Sequence, residues 1–291
     1  MSPSTTATIA RQVGPAVIGL RSGSRGGSGV IVAPGVAVTL ARNIRKDELT
    51  VRVGESDRAA RVTGVDPTVD LAVLTLEGPE LPEPIEWATG EDVTIGSEIY
   101  ALADPFGRGL RVTPGTVSRA PSGLRGPSGR LIEGVIEHTA PLPRGSGGGP
   151  LVDADGRIVG LNAIRRDGGL IVAWPAAVLR DRATTLASGR ATAPPRLGVA
   201  LVGARQARRL RAAVGLEPID GLLIQAVESG SRADRAGVAR GDVIVAIDEA
   251  AVSEPDLLYA ALDAATDSDI AIKIVRGTKE LVLIVRLGDE S

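Results

Sequence analysis

Residues 143–151 read PRGSGGGPL. Ser146 stands there among glycines whose backbone N–H groups no side chain shields. A serine hydroxyl attacks a carbonyl only when a base takes its proton, so the first question is where a base could come from. The chain has one histidine, His138, and three lysines, Lys46, Lys273 and Lys279. Lys46 lies in RKDE, which reads as a solvated charged turn. His138 lies on the strand entering the glycine-rich loop, where a packing or surface role is the ordinary one. There is no cysteine. Thiolate catalysis, disulfides and Cys-ligated metals are therefore excluded, and a single imidazole rules out a multi-His site. No metal and no cofactor is expected.

The elements that must position these residues come next. A chain of 291 residues suits two domains, and 43% hydrophobic content is enough to bury real cores. Aromatics are only 2%, so those cores are aliphatic. A net charge of −2 gives no protein-wide field for nucleic acid or membrane. The N-terminal stretch MSPSTTATIARQVGPAVIGL has no long apolar run after a basic start. It reads as neither signal peptide nor membrane span. That points to the cytoplasm, or to the cell envelope if a leader has been removed.

From residue 13 to about 180, short apolar runs alternate with Gly, Pro and Asp: GVIVAPG, LTVRVG, LAVLTL, GSEIYALA, GRIVGLNAI. Many short strands with regular turn signals predict an all-β barrel or sandwich. In this half helical periodicity appears only in AAVLRDRATTLA, 176–187. SGRATAPPR, 188–196, reads as a linker. Beyond it strands and helices mix. LGVALVG, GLLIQAVESG, GDVIVAIDEA and a terminal hairpin surround helices at ARQARRLRAAVG and SEPDLLYAALDAA.

The order of several segments resembles the HtrA (DegP-like) family, a trypsin-fold protease domain followed by a PDZ domain. The segments are GSGVIVAPGVAVT, DPTVDLAVL, YALADPFG, VTPGTVS and GGPLVDADGRIVGLN, then LGVAL with VESGSRADRAGVARGDVIVAIDEAAV. The resemblance implies a mainly β protein. Its parts would be an N-terminal tail at 1–12, a double six-stranded β-barrel domain at 13–187, a linker at 188–195 and an α+β PDZ domain at 196–291.

Catalysis in this family needs Ser, His and Asp. The aspartate's place falls on Asp70 in TVDLAV. The histidine's place falls on Arg42 in VTLARNI, with Asn43 one residue along as the alternative. Arginine is permanently protonated and has no acceptor nitrogen, and asparagine does not titrate near neutrality. The serine's place, three residues before Pro150, falls on Gly147, and Ser146 fills the place before it. An inserted glycine could slide Ser146 onto the nucleophile position, but TAPL, 139–142, aligns without a gap. Arg42 is expected to meet Asp70 in an ion pair. Backbone N–H groups at Gly145 and Gly147 are expected to keep an oxyanion hole, which needs no side chain.

PDZ domains capture a peptide by strand addition and grip its terminal carboxylate with backbone N–H groups. The resemblance places the carboxylate loop at Arg196, Leu197, Gly198 and Val199. It also lines an apolar groove with Val199, Leu201, Leu258 and Leu262, residues that could equally be ordinary core. Relatives trimerise through N-terminal segments, often with aromatic side chains. This chain has no aromatic before Trp87, so a monomer is favoured over a trimer. The implied function is an inactive, HtrA-like pseudoprotease that binds peptides or protein C-termini. The alternatives are a divergent serine endopeptidase using Ser146, and a structural scaffold. No nucleic-acid partner and no membrane insertion is expected.

Overall fold

The computed structural model of the chain describes residues 5–22, 25–89, 93–126, 129–189, 197–265 and 269–287. It divides into two units, residues 1–193 and 194–291.

The first unit begins with helix α1 (Thr5–Val13), in a stretch that reads as a tail from its small and polar residues. Ile9 and Val13, one turn apart, are both buried in the unit's core. That burial offsets the modest helix propensity of a segment rich in threonine. Six strands then close an antiparallel barrel in the order β1-β2-β3-β6-β5-β4. They are β1 (Val17–Ser22), β2 (Arg25–Ala33), β3 (Val36–Leu40), β4 (Glu48–Val53), β5 (Ser56–Asp66) and β6 (Leu71–Leu76). The other six form a second closed barrel, ordered β10-β11-β12-β9-β8-β7. These are β7 (Glu98–Ala103), β8 (Arg111–Arg125), β9 (Leu131–His138), β10 (Pro150–Val152), β11 (Ile158–Arg165) and β12 (Ile171–Pro175). The fold class is therefore the expected one. Closure removes every open strand edge from this unit. The core is aliphatic, as composition demands, with Tyr100 and Trp174 the large exceptions.

Helix α2 (Ala176–Ala187) packs on strands of both barrels. Leu179, Ala183 and Leu186 are its buried stripe, spaced at helical intervals. Arg182 of this helix pairs with the buried Asp66 of β5 at 2.5 Å.

The second unit is a mixed α and β domain. Its sheet runs β13 (Val199–Val202), β14 (Leu222–Val227), β15 (Val243–Ile247), β17 (Ile270–Arg276), β18 (Lys279–Val285), with β16 (Ala250–Ala251) paired to β15. Helices α3 (Ala204–Ala213), α4 (Arg232–Arg235) and α5 (Pro255–Ala265) connect the strands. Strand β13 lies at one edge of the sheet and pairs only with β14.

Candidate functional site

Asp70 closes the turn between β5 and β6 with a positive φ of 55°, a conformation that aspartate tolerates better than most residues. Its backbone carbonyl accepts the Ala41 N–H at 2.9 Å, which fixes the short 3₁₀ turn Ala41–Asn43 after β3. The next residue then faces it twice. The Arg42 backbone N–H donates to Asp70 Oδ1 at 3.1 Å. The Arg42 guanidinium donates to Oδ2 through Nε at 2.6 Å and lies 2.5 Å away through Nη2. The expected ion pair is present, with both guanidinium contacts on one oxygen.

Asp70 is buried, while the Arg42 side chain keeps 39% of its surface exposed. Burial pushes the Asp70 carboxyl above its usual range, and the charge and hydrogen bonds of Arg42 pull it back. The indole N–H of the buried Trp174 also favours the carboxylate and has no other partner.

Asn43, the alternative to Arg42, turns away from Asp70. Its Nδ2 donates to Thr39 Oγ1 at 3.0 Å and to the Gly147 carbonyl at 2.9 Å. It ties the two barrels together at the glycine-rich loop. Ser28 of β2 does the same. Its N–H donates to the Gly147 carbonyl at 2.9 Å, and its hydroxyl to the Gly145 carbonyl at 3.1 Å. The Ser146 carbonyl accepts from Gly149 N–H at 3.1 Å. All three carbonyls of 145–147 are engaged. Among the described residues, the N–H groups of Gly145, Ser146 and Gly147 donate to no protein group. The loop thus presents donors and conceals acceptors, a nest in the electrostatic sense.

Gly147 offers no nucleophile. A Cβ built there would lie 3.2 Å from Leu40 Cδ1, tight but not barred. The fully buried Leu40 therefore presses on the space a side chain at 147 would need. Ser146 is 4% exposed and its Oγ has no hydrogen-bond partner. His138 is fully buried on β9, with Nε2 3.0 Å from Asn162 Oδ1 and Nδ1 unpartnered. Because Asn162 Nδ2 donates to the Gly149 and Pro150 carbonyls, its Oδ1 must accept, and the imidazole proton sits on Nε2. Burial lowers the His138 pKa to about 4. Lys46 is exposed. Neither His138 nor any lysine is hydrogen-bonded to Ser146.

Beside the loop lies a cavity of about 290 Å³ lined by Leu142, residues 143–147, Asn162, Ala163, Ile164, Arg165 and Ile171. Phe106, whose backbone takes a left-handed φ of 60°, packs against the loop at Gly145. The Phe106 ring packs where a side chain at Gly145 would lie, 2.6 Å from an added Cβ. Gly145 itself has φ +86°. Sequence reasoning missed Ser28, Leu40 and Phe106, since contacts across 40 to 120 residues leave no local pattern.

In the second unit, Arg196 lies outside the described residues, as does residue stretch 190–195 of the linker. Leu197 is buried, and its carbonyl accepts from Ala233 N–H at 2.9 Å. The Gly198 carbonyl accepts from Glu228 N–H at 2.8 Å, and its φ is +77°. Val199 and Leu201 on the edge strand are half-buried. Leu258 and Leu262 of α5 are each 1% exposed and belong to the core of this unit.

Comparison with known proteins matches residues 27–161 to a trypsin-like peptidase domain and residues 195–287 to a PDZ domain. The putative serine protease HhoA of Synechocystis is 32% identical over 278 residues, covering 89% of this chain and 70% of HhoA. The periplasmic serine endoprotease DegP of Escherichia coli is 28% identical, over 91% of this chain and 57% of DegP. A probable periplasmic DegP-like endoprotease of Rickettsia conorii is 26% identical, with 54% of its length covered. The chain thus spans little more than half of these last two. Among solved structures, the HtrA-type protease AlgW with a decapeptide superposes with a TM-score of 0.69 at 23% identity, over 97% of this chain and 98% of AlgW. AlgW with a tripeptide gives 0.64 at 27% identity, over 98% and 97%.

Proposed function

This chain belongs to the HtrA family of trypsin-fold proteins with a PDZ domain, and from that premise we propose that it is a non-hydrolytic member that holds peptides. The observation that carries the reading is Arg42. It occupies Asp70 through its backbone and its guanidinium at 3.1 and 2.6 Å, where an imidazole would have to be oriented. A guanidinium cannot accept a proton, so no base stands on that carboxylate. Gly147 removes the nucleophile from the loop.

The divergent-enzyme reading requires Ser146 to attack. Its hydroxyl is buried and lacks a partner that could deprotonate it. Peptide capture by the second unit is supported by the PDZ match and by the peptide complexes of AlgW. Among the described residues β13 pairs only with β14, which leaves its other edge for an added strand, with Val199 and Leu201 on that strand and N–H groups at Leu197 and Gly198 that donate to no described group and could meet a terminal carboxylate.

Incubation with casein and with a fluorophosphonate probe tests the reading. We expect no cleavage and no label. Turnover, or labelling at Ser146, would overturn it. The converse test is repair. Arg42→His with Gly147→Ser restores two of the three groups, and adding Leu40→Ala relieves the 3.2 Å contact at the Cβ of residue 147. Casein hydrolysis is expected to appear in the triple variant first.

A further inference from the structure

The sheet of the second unit has two edges, and the one opposite β13 is unusual in composition. Strand β18 reads KELVLIV, and among the described residues it pairs only with β17. Edge strands ordinarily carry charges, prolines or bulges that block further pairing. In β18 the charges stop at Lys279 and Glu280, and an unbroken apolar run follows. Leu283 and Val285 turn toward the core of the unit. Val282 and Ile284 lie on the other face, 62% and 56% exposed.

The hydrogen-bond phase of β18 follows from its neighbour. Ala271 of β17 sits opposite Ile284 and directs both its backbone groups to Asp248. Its N–H donates to Asp248 Oδ1 at 2.8 Å, and its carbonyl accepts the Asp248 N–H at 2.9 Å. Ala271 and Ile284 are therefore a non-hydrogen-bonded pair. By alternation, the backbone groups of Glu280, Val282 and Ile284 point off the open edge, where no described residue bonds them.

A strand that pairs here must match this alternation, and β18 matches itself. A twofold axis at Leu283 sets Val282 opposite Ile284 of a second copy, in hydrogen-bonded register. The same axis sets Glu280 opposite Arg286 of the second copy. Arg286 is exposed and forms no ion pair among the described residues. An axis one residue earlier, at Val282, would set Glu280 against Ile284 instead, so charge selects Leu283. We infer that β18 is a self-pairing edge that joins two copies of this chain through their second units. Across the axis an apolar centre of Val282 and Ile284 is closed at each end by a Glu280–Arg286 pair. Glu280 keeps its contact with Lys273 at 2.7 Å and so stands between two cations. The two β13 edges lie at the outer ends of the joined sheet. On the peptide-holding reading the dimer is therefore bivalent, while the pairing itself does not depend on that reading.

Sedimentation velocity of the full chain over a range of concentrations tests the pairing. A reversible monomer–dimer equilibrium is expected, with a Kd of about 10–100 μM for so short an interface. Glu280→Arg and Arg286→Glu, each alone, set like charges against each other at both ends. Each is expected to weaken the dimer at least about tenfold. An equimolar mixture of the two variants pairs opposite charges again and is expected to dimerise as the wild type does. That recovery also shows that neither variant is misfolded. Association that the single variants leave unchanged, or that the mixture does not recover, overturns the inference. So does a chain that stays monomeric at about 500 μM, or one that grows into open-ended assemblies. Amide exchange at Val282 and Ile284 is expected to slow as concentration rises. Protection that is independent of concentration means that another segment of the same chain covers the edge, and overturns the inference as well. Casein hydrolysis and peptide binding are read separately from dimerisation, so either reading can fail without the other.

Discussion

Acidification acts on a single imidazole in this protein, because His138 is its only histidine. Burial depresses its pKa from 6.5 to about 4 in the folded chain. Above pH 6.5 the ring is neutral in both folded and unfolded chains, so it contributes no pH dependence. As pH falls below 6.5 the unfolded chain takes up a proton and the folded chain does not. Stability therefore drops by about 1.4 kcal/mol per pH unit until the folded pKa is reached near 4. The total loss attributable to His138 is about 3 kcal/mol.

Carboxylates also titrate in this window, so the quantity to read is the difference between wild type and His138→Gln. Glutamine can donate to Asn162 Oδ1 but cannot titrate. Both tryptophans, Trp87 and Trp174, belong to the first unit, so their fluorescence during urea unfolding follows the unit that contains His138. The wild-type curve is expected to fall more steeply than the variant between pH 6.5 and 4, with the two parallel above pH 7. Imidazole NMR of the folded protein should show no titration until about pH 4. Parallel stability curves throughout, or a ring that titrates near 6.5, would refute the argument that this histidine is a sealed, neutral packing group.

The remaining expectations concern the cleft. Arg42→Ala leaves Asp70 as a buried carboxylate without its charge partner and is expected to cost about 2 kcal/mol at neutral pH, less than breaking a fully buried pair because Arg42 is partly exposed. Adding Asp70→Asn should return most of that, as read by thermal denaturation. Gly147→Ala meets only Leu40 at 3.2 Å and is expected to cost about 1 kcal/mol. Gly148→Ala places a Cβ 2.2 Å from the Ser28 carbonyl at φ +91° and should cost several times more; equal midpoints for the two would contradict the packing described. Ser28→Ala removes the hydroxyl that donates to the Gly145 carbonyl and accepts the Asp104 N–H, with an expected loss of about 2 kcal/mol.

How much of this was legible depended on whether a feature was local. The barrels were legible because runs such as LAVLTL and GRIVGLN alternate with turn residues at strand spacing. The Arg42–Asp70 pair was legible because both positions lie a fixed count from such runs. The count from β3 favours Arg42 over Asn43, and the turn after β3 shows which of the two side chains meets Asp70. Helix α1 was not legible, because TTATIARQV carries only two strongly apolar residues and its stability comes from the core it plugs. Leu258 and Leu262 show the reverse limit. The resemblance put them in a peptide groove, and the structure buries them in the core of the unit; apolar residues at that spacing fit both places.

The one-sided bonding of residues 145–147 has a consequence for how this loop would look in solution. Its carbonyls are anchored to Ser28, Asn43 and Gly149, while its N–H groups donate to no group among the described residues. Amide hydrogen exchange responds to the state of the N–H, not of the carbonyl. These three amides should exchange their protons rapidly although the backbone carrying them is held in place. A map of exchange rates alone would mark as loose a loop whose carbonyls are tied to the opposite barrel by Ser28 and Asn43.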